Sequence, residues 1–254
     1  MKYFKIIIVA ALVFMSGYTA QAQRNTVINN NAWLVYNGDH KVSDKWGVHL
    51  EMQVRRNELL SKPMQLLPRV GINYYFNPQV MATAGYAYVE TDPYGKFPVT
   101  TKFGESRAWE QIQIKNQFNR VEQVNRIRLE QRFVNLPVRS ATDGTYKPGP
   151  AVYSNRIRLQ NRIAVPLNGK TIVDKSVYVT AADEIFVNFG KNVGKNIFDQ
   201  NRAYAAIGYK VPKLGRVEAG YLWQVVAKSD GIRIESNHTL QVGIFSTIDF
   251  YKKK

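Results

Sequence analysis

The stretch KWGVHLEMQVR, Lys45 to Arg55, decides how the chain is read. Trp46, Val48, Leu50, Met52 and Val54 alternate without a break against Lys45, Gly47, His49, Glu51, Gln53 and Arg55. Successive side chains of a strand point to opposite faces, so this period of two predicts one strand with a greasy face and a polar face. Outward from it the pattern recurs. Leu66, Pro68, Val70, Ile72 and Tyr74 oppose Arg69, and Ile127, Leu129 and Phe133 oppose Arg126, Arg128, Glu130 and Arg132. Ile157, Leu159 and Ile163 oppose Arg156, Arg158 and Arg162. Later, Ala203, Ala205, Ile207 and Tyr209 oppose Arg202, while Val217, Ala219, Tyr221 and Trp223 oppose Arg216 and Glu218. No stretch carries a convincing helical period.

These runs reach roughly ten to fourteen residues, whereas strands of soluble proteins average about five or six. A tilted membrane-crossing strand needs roughly nine to eleven residues, and such segments separated by turns are the mark of an outer-membrane barrel. Tight turns at Asn77-Pro78, Asn119-Arg120, Asn168-Gly169 and Pro212 to Gly215 alternate with longer connections near 57–64, 91–105, 134–152, 189–199 and 228–235, as periplasmic turns and extracellular loops do. A soluble secreted barrel or sandwich also absorbs alternation, with the polar face turned to water. It does not account for the strand length or the turn pattern.

The expectation is an all-β, transmembrane, antiparallel up-and-down β-barrel. Ten strands are predicted at 45–56, 65–76, 79–90, 106–118, 122–133, 153–166, 175–187, 201–211, 216–226 and 236–250. An eleventh candidate, Asn31 to Tyr36, conflicts with the even counts of bacterial barrels. Either it lies outside the wall, leaving ten strands, or residues 24–30 add a short partner and make twelve; ten is preferred. Glu110 and Asp183 fall on the apolar parity, which calls for an interfacial depth or a β-bulge.

The chain has 254 residues, a formal charge of +16 and no cysteine. Lys2 and Lys5 precede an apolar run, Ile6 to Met15, and an Ala20-Gln21-Ala22 site, the layout of a secretory signal peptide. The expected organisation is therefore a signal peptide over 1–22 and a barrel over 23–254, exported to the bacterial outer membrane. Without cysteine there is no disulfide framework, thiolate nucleophile or cysteine zinc site.

One repeat concentrates charge. Asn125-Arg126-Ile127-Arg128-Leu129 with Arg132 returns thirty residues later as Asn155-Arg156-Ile157-Arg158-Leu159 with Arg162. The two runs flank a long loop and are expected to pair antiparallel, with Arg132 near Arg156 and Arg126 near Arg162. Arg55, Arg69, Arg107, Arg202 and Arg216 share the polar parity with Glu51, Glu130, Glu184 and Glu218. Two readings follow. Interleaved arginines and glutamates can make a hydrogen-bonded plug, because the guanidinium fork bridges carboxylates. Alternatively a surplus of arginine makes an anion-selective constriction or a site for an acidic ligand. The plug is preferred because ten strands enclose little beyond their own side chains.

Other chemistry has thin support. His40, His49 and His238 are the only histidines; neither a G-x-S-x-G nucleophile nor an H-x-x-x-H metal spacing accompanies them. A lipid hydrolase or acyltransferase in the barrel wall is kept as the alternative from another class, and no cofactor or metal is expected. Basic residues are spread over wall and loops without a recognition motif, which argues against nucleic acid. The expected partners are outer-membrane lipid, lipopolysaccharide phosphates met by loop lysines, and the barrel-insertion machinery.

Several stretches carry a resemblance: WLVYNGDHKVSDKWGVHLEMQVR at Trp33 to Arg55, GYAYVE at Gly85 to Glu90, ESRAWEQ at Glu105 to Gln111, RIRLEQRF at Arg126 to Phe133, ADEIFVNFG at Ala182 to Gly190, and FDQNRAYAAIGYKV at Phe198 to Val211. Together they resemble the outer-membrane barrel family catalogued as domain of unknown function 2490. The resemblance implies a barrel without an assigned activity, and marks Glu51, Arg55, Glu105, Arg107, Glu130, Arg132, Glu184 and Arg202 as recurrent charged positions inside it.

Overall fold

A computed structural model describes residues 24–251, so the expected signal segment and the Lys252 to Lys254 tail lie outside the described residues. Each alternating run becomes a strand. In chain order these are β1 (Asn25–Lys41), β2 (Trp46–Asn57), β3 (Lys62–Tyr75), β4 (Val80–Thr91), β5 (Phe103–Phe118), β6 (Val121–Val134), β7 (Pro137–Arg139), β8 (Tyr146–Pro148), β9 (Val152–Pro166), β10 (Val177–Phe189), β11 (Phe198–Val211), β12 (Gly215–Ala227) and β13 (Arg233–Ser246). The short pair β7–β8 is a separate hairpin within the loop after β6. The other eleven close into one barrel, each hydrogen-bonded on both sides, so no sheet edge is left open.

The expected count of ten, or twelve, is therefore corrected to eleven. Residues 24–30 do not form a partner strand, and the Trp33 segment does not lie outside the wall. Residues 25–30 and the Trp33 segment both belong to the single strand β1, 17 residues long. It pairs antiparallel with β2 and parallel with β13, from Asn25 opposite Arg233 to Gly38 opposite Ser246. The fully antiparallel barrel is corrected with it, since an odd number of alternating strands leaves the first and last running the same way. Trp33 explains why β1 is kept in the wall. Its side chain points inward and is buried against Tyr204 and Leu222.

The connections fall on two rims. One carries 42–45, 76–79, 119–120, 167–176 and 212–214; the other carries 58–61, 92–102, 135–151, 190–197 and 228–232. The second holds the longest loops, yet two expectations change. The β2–β3 connection is tight, with Glu58 and Leu59 both at positive φ, and the β9–β10 connection is longer than the expected turn at 168–170. The turns have local causes: Asn77 Oδ1 accepts the backbone N–H groups of Gln79 (2.9 Å) and Val80 (2.8 Å), closing the β3–β4 hairpin.

The polarity of the wall is inverted relative to a soluble barrel. In β2, Gly47, His49, Glu51, Arg55 and Asn57 are buried while Trp46, Val48, Leu50, Met52 and Val54 are exposed. Val70 is 52% exposed and Ile207 63%. Aromatic side chains gather on the outer face toward both rims. Trp46 meets Tyr74 edge-on at 4.9 Å and Tyr74 meets Phe76 at 5.0 Å near the short-turn rim, while Phe133 and Tyr153 lie 5.2 Å apart near the loop rim. Glu110 and Asp183 also face outward. No bulge adjoins them, since the register breaks fall at Arg55/Arg56 and Phe186/Val187. Gln131 donates to Glu110, and Asn201 donates to Asp183.

Candidate functional site

The buried polar parity of the eleven strands converges on the barrel axis and forms a continuous ion-pair network. At its centre is Glu130 on β6, with no solvent exposure. Glu130 Oε1 accepts from Arg158 Nη1 at 2.8 Å, and Oε2 accepts from Arg156 Nε at 3.0 Å and from its Nη2. Arg69 Nη2 and Arg107 Nη1 approach it at 3.6 and 3.9 Å. Four guanidiniums from three strands thus surround one carboxylate, which is what an interior that must satisfy every buried charge requires.

The register of the two arginine runs departs from expectation by two residues. Glu130, not Arg132, lies opposite Arg156, and Val124 lies opposite Arg162; Arg128 faces Arg158. A shift of two keeps every side chain on its own face, whereas a shift of one would turn the arginines outward. Glu130 faces an arginine in either register, but the observed one leaves a single like-charged pair across β6 and β9, Arg128 with Arg158, where the expected one would have two.

From this centre the network runs toward both rims. On the loop side, Glu105 accepts from Arg107 (2.6 Å) and Arg132 (3.1 Å), and Asp199 accepts from Arg156 at 2.6 Å. Tyr94, reaching in from the β4–β5 loop, donates to Glu235 at 3.2 Å, and that carboxylate also pairs with Lys228. Burial and the neighbouring Glu235 carboxylate push the Tyr94 hydroxyl well above the usual phenol range. On the short-turn side, Arg69 pairs with Glu51, Arg126 (2.7 Å) and Arg158 (2.9 Å) donate to Glu184, Arg162 pairs with Glu218, and Arg216 grips Glu122 through two bonds of 2.6 and 2.7 Å. Arg55, Arg128 and Arg202 differ. Arg55 bonds Gln53 and Gln65, Arg128 bonds Gln111, and Gln224 accepts from Arg202 at 3.2 Å when its amide is turned oxygen-first.

Buried aromatics provide a second kind of partner that the sequence reading missed. The Arg128 guanidinium lies 4.6 Å from the Trp109 ring and that of Arg69 5.3 Å from it. Arg55 lies 4.1 Å from Trp33, and Arg158 and Arg202 lie 4.4 and 4.7 Å from Phe186. The signal was present, for Trp109 shares parity with Arg107 and Gln111, and Phe186 with Glu184. Glycines make the room: Gly71 and Gly85 face each other on β3 and β4, and a Cβ on Gly71 would stand 3.0 Å from the indole of Trp109. Glu122, Asp199 and Asp39 were also missed. Asp39 Oδ1 meets His49 Nδ1 at 2.8 Å and accepts from Asn73, and His49 stacks edge-on against Trp109 at 5.2 Å.

The other histidines sit elsewhere. His40 meets Tyr36 Oη through Nε2 at 2.9 Å and the Ile248 carbonyl through Nδ1 at 3.2 Å. His238 is on the outward face of β13, where Nδ1 meets Tyr221 Oη at 2.5 Å and Nε2 lies 3.5 Å from Ser236 Oγ; the Trp223 indole donates to that same hydroxyl at 2.9 Å. No group of three or more His, Asp or Glu is arranged to hold a metal among the described residues.

A closed β-barrel with an apolar outer face and a salt-bridged interior is the class of protein these features define. Residues 30–235 match the family described as Protein of unknown function (DUF2490), and the chain belongs to that family. No curated protein and no solved structure matches it.

Proposed function

We propose that this chain is an outer-membrane β-barrel whose lumen is closed at mid-height by the network around Glu130, so that it stands in the membrane as a sealed wall and not as an open pore. The carrying observation is the inverted polarity. Wall strands of 12 to 17 residues expose their apolar parity and bury arginine and glutamate. In water so large an apolar surface is an aggregation liability, whereas hydrocarbon accepts it and leaves polar side chains to pair inside. The rows of aromatic residues near the two rims suit the two lipid–water interfaces. Exported chain partners follow from this place: insertion machinery, lipid, and lipopolysaccharide phosphates at the basic loops.

Planar-bilayer recording tests the closed lumen, with no stepwise conductance above the lipid background as the expected result. Ion-selective steps, with anion preference lost in Arg158→Glu, would instead favour a narrow anion pore. Fractionation tests location: recovery of the protein in the soluble fraction, monodisperse without detergent, would overturn the membrane reading.

A second reading, from a different class, has one observation behind it. Ser236, His238 and Tyr221 stand in line on the outward face near the loop rim, in the order nucleophile, base and orienting group. In lipid-ester cleavage Ser236 Oγ would attack the carbonyl carbon as its proton passed to His238 Nε2, with Nδ1–H held by Tyr221; the ester C–O bond would then break as the alcohol left with that proton, and water would hydrolyse the acyl-serine to release fatty acid. Release of fatty acid from phospholipid vesicles that disappears in Ser236→Ala would favour it; no release from the wild type removes it.

A further inference from the structure

The network does not fill the barrel evenly. Between the plane of Glu130 and the short-turn rim lies a chamber of about 520 Å³, within the size range of small-molecule sites, with Lys115, Lys210, Glu122 and Thr247 at its mouth. Its charge does not balance. Nine of its lining side chains are lysine or arginine and four are aspartate or glutamate. Counting Glu130 and Glu218 as well, which hold Arg158 and Arg162 from beyond the lining, still leaves the cations three ahead.

The surplus has addresses. No carboxylate among the described residues comes within 4.0 Å of Arg128, Arg202, Lys115 or Lys210. Arg128 is 1% exposed, so its charge is removed from water and met only by the Gln111 oxygen and the face of Trp109. Guanidinium and ammonium charge left without a carboxylate around a cavity favours an occupant that brings oxygen acceptors and negative charge.

From this we infer that the chamber is a closed-ended binding site for a small, multiply charged oxyanion, bearing phosphate or carboxylate groups, that enters from the short-turn rim. Arg202 would grip it from the interior, with Arg128 adding uncompensated charge from the back of the lining, the carboxylate-paired Arg126 and Arg158 beside them, and Lys115 and Lys210 drawing it in. A low-dielectric wall around a positive chamber concentrates the field at the mouth and favours anion entry. The closed end makes this a receptor-like pocket and not a conduit, and to that extent the inference rests on the sealed-lumen reading.

Isothermal titration of the full-length protein in detergent micelles at low ionic strength tests it, with pyrophosphate and citrate as separate probes and chloride as the control. The expected result is saturable binding of one anion per chain for at least one probe. Which probe binds assigns phosphate or carboxylate chemistry. Arg128→Gln is expected to weaken binding at least tenfold. The mouth double variant Lys115→Gln/Lys210→Gln, whose side chains the fold does not depend on, is expected to weaken it severalfold. Lys147→Gln, on a loop at the opposite rim, should leave it unchanged. Absence of saturable binding to both probes, or an equal loss in the mouth variant and in Lys147→Gln, overturns the proposal. A conducting pore in the bilayer assay would overturn the sealed lumen alone, leaving the titration to decide the chamber.

Discussion

Substitution Glu130→Gln keeps the shape of the side chain and deletes the charge at the centre of the lumen. In the native arrangement both oxygens are engaged, Oε1 by Arg158 and Oε2 by the fork of Arg156, with two further guanidiniums inside 4 Å. Glutamine can offer its single oxygen to one of these arginines; its amide N–H₂ must then point at the other, donor against donor. At least one charge-assisted bond is lost, worth about 1.5–3 kcal/mol, and the remaining arginines keep their charge without the partner that justified burying it. Breaking a buried pair from one side costs about 3–5 kcal/mol, and that is the expected loss of stability. Denaturant unfolding of the detergent- or vesicle-folded barrel, followed by tryptophan fluorescence and by heat-modifiable gel mobility, measures it. The double variant Glu130→Gln/Arg156→Gln removes a matched pair, so its loss should fall short of the sum of the single losses by about 0.5–3 kcal/mol. A single-variant loss below about 0.5 kcal/mol, the scatter of ordinary surface changes, would refute the claim that Glu130 organises the interior.

Three further outcomes follow from the wall and the loops. Gly85→Ala places a Cβ 2.0 Å from the Val70 carbonyl oxygen and 2.6 Å from Gly71 Cα, backbone that cannot step aside, so the variant should fail to acquire the heat-resistant folded form on gels. Val70→Arg, on the exposed apolar face, should destabilise the barrel by about 2–4 kcal/mol when it folds into lipid vesicles if that residue lies near the bilayer midplane; an unchanged midpoint would count against hydrocarbon at that position. Asp230, in the β12–β13 loop, accepts the backbone N–H groups of Arg233 and Ile232 and pairs with the Arg233 side chain, which hold its carboxyl below the usual carboxylate range. Because the folded value is depressed, its support for the loop is present above the ordinary aspartate pKa and fades only as pH falls through the lower folded value. Carboxyl NMR should show Asp230 still ionised at pH 4, and a midpoint at or above the ordinary aspartate value would contradict the turn geometry.

Parity was the legible part of this chain. The period of two in Lys45 to Arg55 separates, residue by residue, the side chains the fold buries from those it exposes, because in a strand the face is set by counting alone. Register was not legible to the same degree. Both the expected and the observed pairing of the two arginine runs preserve the faces, and only the three-dimensional placement of Glu130 against Arg156 separates them. Closure was harder still. An even count fits antiparallel neighbours all round, and nothing local in Asn25 to Lys41 announces that its other edge will bond a parallel strand more than two hundred positions away. The cue that bears on it is Trp33, a bulky inward residue at home only inside a wall. The inward aromatics were readable by the same counting rule, since Trp109 shares parity with Arg107 and Gln111, and Phe186 with Glu184.

The choice of arginine over lysine in the lumen follows from what a narrow interior must supply. A guanidinium has two kinds of surface: an edge of N–H donors and two flat faces that are weakly hydrated. Arg158 uses both, its edge toward Glu130 and Glu184 and its face near Phe186. Arg128 does the same with Gln111 and Trp109, without any carboxylate. An ammonium has no flat face to set against an indole and cannot bridge two acceptors in a fixed fork, so lysine at these positions would leave the aromatic layer unpartnered. The lysines of the lumen are correspondingly found at its ends, Lys228 toward the loops and Lys115 and Lys210 at the chamber mouth, where water reaches them. The distribution of acids then divides the interior into two parts. Glu105, Glu130, Asp199 and Glu235 gather from mid-height to the loop rim and nearly balance the cations there, while the short-turn half keeps its surplus. One alphabet of residues thus fills the interior in two ways: matched with carboxylates toward the loop rim, and left partly unmatched around the chamber toward the short turns.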